Sequence, residues 1–232
     1  MKISLEHYHK IIFFTGAGMS AESGVPTYRG RGGIWNEYKW EEYACQNAFN
    51  KNPEFVLDFH QLRRVEALKC NPHLGHTIIS NIENLKKNTF IITQNIDGMH
   101  QRANSKNVIE LHGSLWRLRC EKEGIVIEDK IDGKFSKTIC ECGAWLRPDI
   151  IWFEDMLKED IIAQANQKII ESDLFVSIGT SGMVWPAASF PSLAKSSGSF
   201  CIEINPEETE LSKLYDQVIR LPASDALDQF FN

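Results

Sequence analysis

Residues 11–30 read IIFFTGAGMSAESGVPTYRG. Four large apolar residues and a threonine run into a glycine-rich turn, Gly16-Ala17-Gly18-Met19-Ser20-Ala21. An apolar run without alternation marks a strand buried on both faces. The turn fits G-x-G-x-x-G/A, in which the first glycine permits the tight turn and the second lets backbone approach a pyrophosphate. The acidic residue that ordinarily follows at the end of a second strand, about 20 residues on, is missing: Trp35-Asn36-Glu37 sits there, in no strand. The chain passes instead through Ser23-Gly24-Val25-Pro26 to Arg29. A dinucleotide suits the turn, as does a plain tight turn, but the unit is not an ordinary dehydrogenase half.

Further along, short apolar runs at Thr89–Thr93, Val108–Leu111, Asp173–Ile178 and Phe200–Ile204 read as strands, as does Lys10–Thr15. Helical patterns lie between them at about 41–48, 52–69, 73–85 and 158–170. Strands alternating with helices predict an α/β fold with a parallel sheet, whose ligands sit at the strands' carboxyl ends. Residues 37–72 read as a helical insertion. Residues 117–147 are polar, hold three cysteines and carry the loop signal Asp132-Gly133. Both insertions predict a smaller module on the main sheet.

The 25 Lys and Arg against 31 Asp and Glu leave a net charge of −6 with no dense basic block, which argues against nucleic acid as a direct partner. The opening MKISLEHYHK places His and Lys where a signal peptide needs an unbroken apolar core. No apolar run approaches the roughly 18 residues of a spanning helix. The expectation is a cytoplasmic protein, off the membrane, with its six cysteines reduced. The oligomeric state is left open, a monomer included.

Polar residues cluster just past the expected strands. Gln94, Asn95 and Asp97 follow the second, in ITQNIDGMH, where an amide and a carboxylate can bind ribose hydroxyls and a carboxamide; Asp97 can equally cap a helix. His112 in IELHGSLW stands at a strand's carboxyl end, a good place for a general base. Gly179-Thr180-Ser181 forms a second glycine and hydroxyl turn, and Asn205 ends a late strand in reach of a second ribose.

In this order the motifs GAGMSAESGVPTYRG, TQNIDGMH, LHG, LRPDIIWF and GTSGMVWPA resemble the sirtuin (Sir2) family of NAD-dependent protein lysine deacylases, over about residues 9–224. The resemblance implies a Rossmann-like large domain of about 1–36, 73–116 and 148–232, and a small domain from 37–72 and 117–147 that carries a zinc module, together one catalytic unit. It implies that NAD is held by Gly16, Ala17, Gly18, Ala21, Glu22, Tyr28, Arg29, Trp35, Gln94, Asn95, Ile96, Asp97, Gly179, Thr180, Ser181, Asn205, Pro206 and Ala223. Arg29 reaches from a cofactor-binding loop towards the phosphates. In the implied chemistry the acyl oxygen of a modified lysine attacks the nicotinamide ribose, and His112 is the general base on a ribose hydroxyl. Asn95 positions ribose and water, and Asp97 binds the carboxamide. Lysine, nicotinamide and O-acyl-ADP-ribose are the products. A protein deacetylase without acidic-acyl preference, an oxidoreductase, a mono-ADP-ribosyltransferase and a non-catalytic ADP-ribose or acyl-lysine reader are the competing readings.

Three departures from the family pattern stand out. Cys120 lacks its Cys-x-x-Cys partner, and Cys140-Glu141-Cys142 is closely spaced. Either these three cysteines hold zinc, with Glu121, Glu123 or a water as fourth donor, or the site is degenerate. In Trp152–Asp155, Phe153 and Glu154 fall on the segment that pairs with substrate backbone, and Glu154 replaces a customary glycine. The start of the chain resembles class III sirtuins, which prefer succinyl, malonyl and glutaryl lysine through a Tyr-x-x-Arg pair. On the helix FVLDFHQLRRVEAL, His60 takes the tyrosine position and Arg63 that of the carboxylate-gripping arginine. Phe55, Phe59 and Leu62 read as that helix's core stripe.

Overall fold

The computed structural model of the protein describes residues 2–27 and 33–231. Strands β1 (Ile11–Thr15), β2 (Thr89–Thr93), β3 (Val108–Glu110), β4 (Gly113–Cys120) and β5 (Ile125–Glu128) are followed by β6 (Arg147–Ile150), β7 (Leu174–Ile178), β8 (Phe200–Ile204) and β9 (Gln217–Ile219). Six of them form a parallel sheet in the order β3-β2-β1-β7-β8-β9, and the other three an antiparallel sheet in the order β5-β4-β6. The long helices are α4 (Pro53–Lys69), α5 (Leu74–Leu85), α7 (Glu159–Ile170) and α9 (Ala223–Phe231). The shorter helices are α1 (Ala17–Ala21), α2 (Trp40–Tyr43), α3 (Gln46–Lys51), α6 (Met99–Arg102) and α8 (Phe190–Ser196).

The parallel sheet sits where the apolar runs placed it, because β1 and β7 are buried at every residue. Along β1 the side chains alternate between two cores. Ile11 and Phe13 pack with Ile79, Val176 and Leu227 on the side of α5 and α9. Ile12 and Phe14 pack with Ile169, Phe175 and Phe190 on the side of α7 and α8. Counting this sheet's strands alone, the order reverses between β1 and β7, the point at which a doubly wound sheet opens a crevice at its carboxyl ends.

The helix expected at 41–48 is two helices. The thiol of Cys45 caps the second by accepting from the Ala48 amide at 3.4 Å. Asn52 and Pro53 open α4 as expected, with Asn52 Oδ1 accepting from Phe55 N at 3.2 Å. Its core stripe differs from the expectation: Phe55 is 44% exposed and Leu62 59%. The buried face is Val56, Leu57, Phe59, His60, Arg64 and Ala67, two of them polar, which hid the periodicity.

Arg64 explains how the two insertions become one module. Its guanidinium is fully buried and donates to Asp129 Oδ2 at 2.6 Å and to the carbonyl oxygens of Asp132 (2.7 Å) and Lys130. It lies over the rings of Phe135 (4.6 Å) and Trp116 (5.1 Å). Removing it leaves the buried Asp129 carboxylate without its counter-charge and the Asp132 carbonyl without its guanidinium donor, the costly way to break a buried pair. Arg64→Ala is expected to lower stability by about 3 kcal/mol, measured by urea denaturation; a loss under 1 kcal/mol would contradict this role.

Candidate active site

At the crevice the two glycine turns touch through backbone. The amide of Gly18 donates to Gly179 O at 2.8 Å, and that of Gly16 to Ile178 O at 3.0 Å. A Cβ on Gly18 would stand 2.7 Å from the Gly179 Cα, and one on Gly16 2.7 Å from Gly179 O. Gly179 itself has φ +59°, the left-handed region that favours glycine. The turns therefore pack too closely for a side chain at Gly16 or Gly18, and the amides of both are bonded to the second turn.

The polar cluster after β2 converges on these turns. Gln94 Nε2 donates to Thr180 Oγ1 at 3.0 Å. Buried Asn95 donates from Nδ2 to Gly16 O at 2.9 Å and to Ser20 Oγ at 3.2 Å. Ser20 also faces the Asp97 carboxylate; the sequence reading passed over this hydroxyl, whose only signal was its place inside the glycine turn. Asp97 caps α6 through Met99 N (2.9 Å), while Trp116 Nε1 donates to its carbonyl at 2.8 Å. Burial raises the Asp97 pKa, against the pull of Met99, Ser20, Arg63 and Arg102. Asn205 donates from Nδ2 to Thr180 O at 3.1 Å, bringing the end of β8 to the same crevice.

His112 is oriented by a bond between its Nδ1 and the Gln94 carbonyl at 2.9 Å. That makes Nδ1 the donor and leaves Nε2 with a lone pair. Burial lowers its pKa, and the Gln94 carbonyl partly restores it. A neutral imidazole with one nitrogen free is the form a general base needs.

A narrow cleft lies beside the cluster, lined by Ala17, Ser20, Arg63, Asn95, Ile96 and Asp97 among others. Trp35 packs nearby against Phe59 and, edge-on, Phe153. Tyr28 and Arg29 lie outside the described residues. Glu22, one of the expected cofactor residues, is engaged elsewhere: its carboxylate accepts from the amide (3.2 Å) and hydroxyl of Ser224, beside Ala223 at the start of α9. Ala21, at the end of α1, and Ser181 and Pro206, in loops after β7 and β8, are exposed.

His60 does not join Arg63 in the cleft, contrary to the expectation of a shared acyl contact. It is 4% exposed, and its Nε2 accepts from Trp152 Nε1 at 3.1 Å. Burial, with Arg63 and Arg147 nearby, lowers its pKa to about 3, so it cannot offer a proton to an acyl group near neutral pH. Glu154 adopts φ +75°, which explains why glycine is the easier residue there. Its side chain is exposed, and Phe153 N is bound to Ala44 O at 3.0 Å.

Cys120, Cys140 and Cys142 meet with their sulfurs within 4.8 Å of one another. The Glu123 amide donates towards the Cys120 sulfur and lowers that thiol's pKa, the arrangement a thiolate ligand needs. Three convergent sulfurs with a backbone donor fit zinc. Among the described residues the cluster takes in no carboxylate. Glu121 is held instead by Arg119 Nε (2.7 Å) and Arg147 (3.2 Å), so solvent is left to supply a fourth donor.

The model of the Sir2 family matches residues 16–186, which span both glycine turns, the polar cluster and the cysteines. The chain belongs to the Sir2 family. Among similar Sir2 proteins, one from Aquifex aeolicus named NAD-dependent protein deacylase is 41% identical over 231 residues, covering 96% of this chain and 94% of its own. NAD-dependent protein deacylase 1 of Caldanaerobacter subterraneus subsp. tengcongensis is 43% identical over 216 residues, covering 92% and 89%. A solved complex of a Sir2 homologue with NAD superposes with a TM-score of 0.89 at 38% identity, over 97% of this chain and 89% of that one. No helix among the described residues is long and apolar enough to cross a membrane.

Proposed function

We propose that this Sir2 protein removes acyl groups from lysine side chains of proteins in an NAD-dependent reaction, releasing free lysine, nicotinamide and O-acyl-ADP-ribose. The observation that carries the reading is that Asn95 bonds to the first glycine turn, while Gln94, whose carbonyl orients a neutral His112, bonds to the second. A reader of ADP-ribose has no use for such a base. When bound, NAD supplies an electrophilic ribose carbon and a nicotinamide leaving group. The turn at Gly16 and Gly18 would let its pyrophosphate approach the backbone closely. Asn95 and Asp97 fix the ribose and carboxamide, and His112 Nε2 takes a proton from a ribose hydroxyl. Asn205 reaches the second ribose. Large domain and small domain act as one catalytic unit, and zinc on the three cysteines would be structural, on the antiparallel sheet.

The preference for succinyl or malonyl over acetyl groups rests on Arg63, since His60 is turned away. A guanidinium grips a carboxylate bidentately. Arg63→Met is expected to raise KM for succinyl-lysine peptide about tenfold, a charge-assisted contact worth roughly 1.5–3 kcal/mol at most, and to leave the acetyl KM within twofold. Equal effects on both would return Arg63 to a scaffold role. The reading as a whole is tested by offering one peptide as acetyl-, succinyl- and malonyl-lysine, with and without NAD. NAD-dependent deacylation, fastest for the acidic groups, is the expected result. Formation of NADH, or transfer of ADP-ribose to the peptide, would overturn it.

A further inference from the structure

We infer that His60 is a positioning residue that sets the substrate-pairing turn Trp152–Asp155 by holding the Trp152 indole from α4. The inference rests on the deacylase reading, in which that turn meets the backbone of the acylated peptide.

The turn begins at Trp152, which is buried on all sides. The imidazole of His60 lies nearly parallel to the indole, with ring centroids 5.6 Å apart and planes 19° apart, while its Nε2 accepts the indole proton. The Arg147 guanidinium sits 3.4 Å from the indole centroid, and Phe49 packs 5.5 Å away. Arg147 also reaches the far end of the turn, donating to Asp155 Oδ2 at 2.7 Å, and the same oxygen accepts from Trp152 N at 3.0 Å. The turn closes with Asp155 N donating to Trp152 O at 3.1 Å. Phe153 is pinned between Trp40 and Trp35. Glu154, with its left-handed backbone, is left between two fixed ends.

A buried indole N–H is costly to leave without an acceptor. His60 is that acceptor, and it stands one helical turn before Arg63. The helix that presents Arg63 to the cleft and the turn that faces the peptide are therefore joined through an imidazole–indole bond. Loss of the acceptor frees the indole to rotate towards another partner and carries Phe153 and Glu154 with it. The acyl group itself is not touched, so the effect should not depend on which acyl group is offered.

Steady-state kinetics of His60→Leu and His60→Gln, with wild-type protein alongside, test this. In His60→Leu the KM for acyl-peptide is expected to rise about tenfold for acetyl- and succinyl-lysine alike. The KM for NAD and kcat should stay within twofold, and the Trp152 indole N–H resonance should shift. His60→Gln, which returns an acceptor oxygen, should restore peptide KM to within about twofold. A KM change confined to succinyl-lysine would overturn the proposal in favour of a direct acyl contact. Unchanged peptide KM, or a parallel loss of kcat, NAD affinity and thermal stability in both variants, would overturn it as well. Absence of acyl-peptide turnover by wild-type protein would instead overturn the deacylase reading, and this inference with it.

Discussion

Acidification from about pH 7 to about pH 4.5 is expected to remove roughly 7 kcal/mol of stability, comparable with the 5–15 kcal/mol that holds a typical domain folded. Three histidines are responsible. His60, His76 and His100 are between 0 and 4% exposed. Burial lowers the pKa of His60 and His100 to about 3 and pushes His76 lower still; neighbouring Arg63 and Arg147 act on His60, His100 and His73 act on His76, and His73 acts on His100. The hydrogen bonds of His60 and His76 require neutral rings, whereas His100 donates from Nε2 and is kept neutral by burial beside His73. His76 Nδ1 accepts from His73 N at 3.4 Å, and His100 Nε2 pairs with Thr15 Oγ1 at 3.0 Å, where Thr15 already gives its proton to Thr93. In the unfolded chain each ring takes a proton near the ordinary pKa of about 6.5. Below that pH the unfolded state binds more protons than the folded one, so stability falls as pH falls, by about 1.4 kcal/mol per pH unit for each ring. The folded rings resist protonation until about pH 3, which carries the slope through the whole interval. Urea midpoints measured at pH 7, 6 and 5 will show the slope. A midpoint independent of pH over that range would mean that these rings are not held neutral.

His112→Ala is expected to lower kcat about a thousandfold, within the range that a positioned general base contributes, while NAD affinity stays within a few-fold. The separation follows from geometry. His112 is oriented through Nδ1 by the Gln94 carbonyl and donates no bond to either glycine turn, whereas the contacts between the turns are backbone to backbone. The wild-type acid limb of kcat/KM should lie below the ordinary histidine value, because burial lowers the pKa and the base must be neutral to act. Steady-state kinetics and calorimetric titration with NAD check both parts. Retention of kcat within tenfold would remove His112 from the role of base.

What the sequence disclosed follows from which interactions leave a pattern in it. Five of the six strands of the parallel sheet were legible from apolar runs such as Ile11–Phe14 and Leu174–Ile178, whereas β9, with Ile219 its only buried residue, was not. Gly16, Gly18, Asn95, Asp97 and His112 were legible because each stands at a strand's end. The antiparallel sheet was not, and the reason is charge. In β6 every residue of Arg147-Pro148-Asp149-Ile150 is buried, and β4 carries Arg117 and Arg119. Asp149 accepts from Arg117 at 3.1 Å and from Lys158 at 3.0 Å, and burial is offset by these partners so that its pKa is lowered. A core built on ion pairs has no hydrophobic period to read. The same cause misled the reading of α4, where His60 and Arg64 occupy the buried face, and no local pattern could tell that His60 would turn to an indole 92 residues further on.

The sheet's register has a consequence for how the protein is made. β1 emerges from the ribosome first, yet one of its edges pairs with Thr89–Thr93 and the other with Leu174–Ile178. For most of translation its four large apolar residues have no native neighbour on at least one side, and such an open edge attracts other nascent chains. That edge of β1 stays open until Leu174–Ile178 has been made.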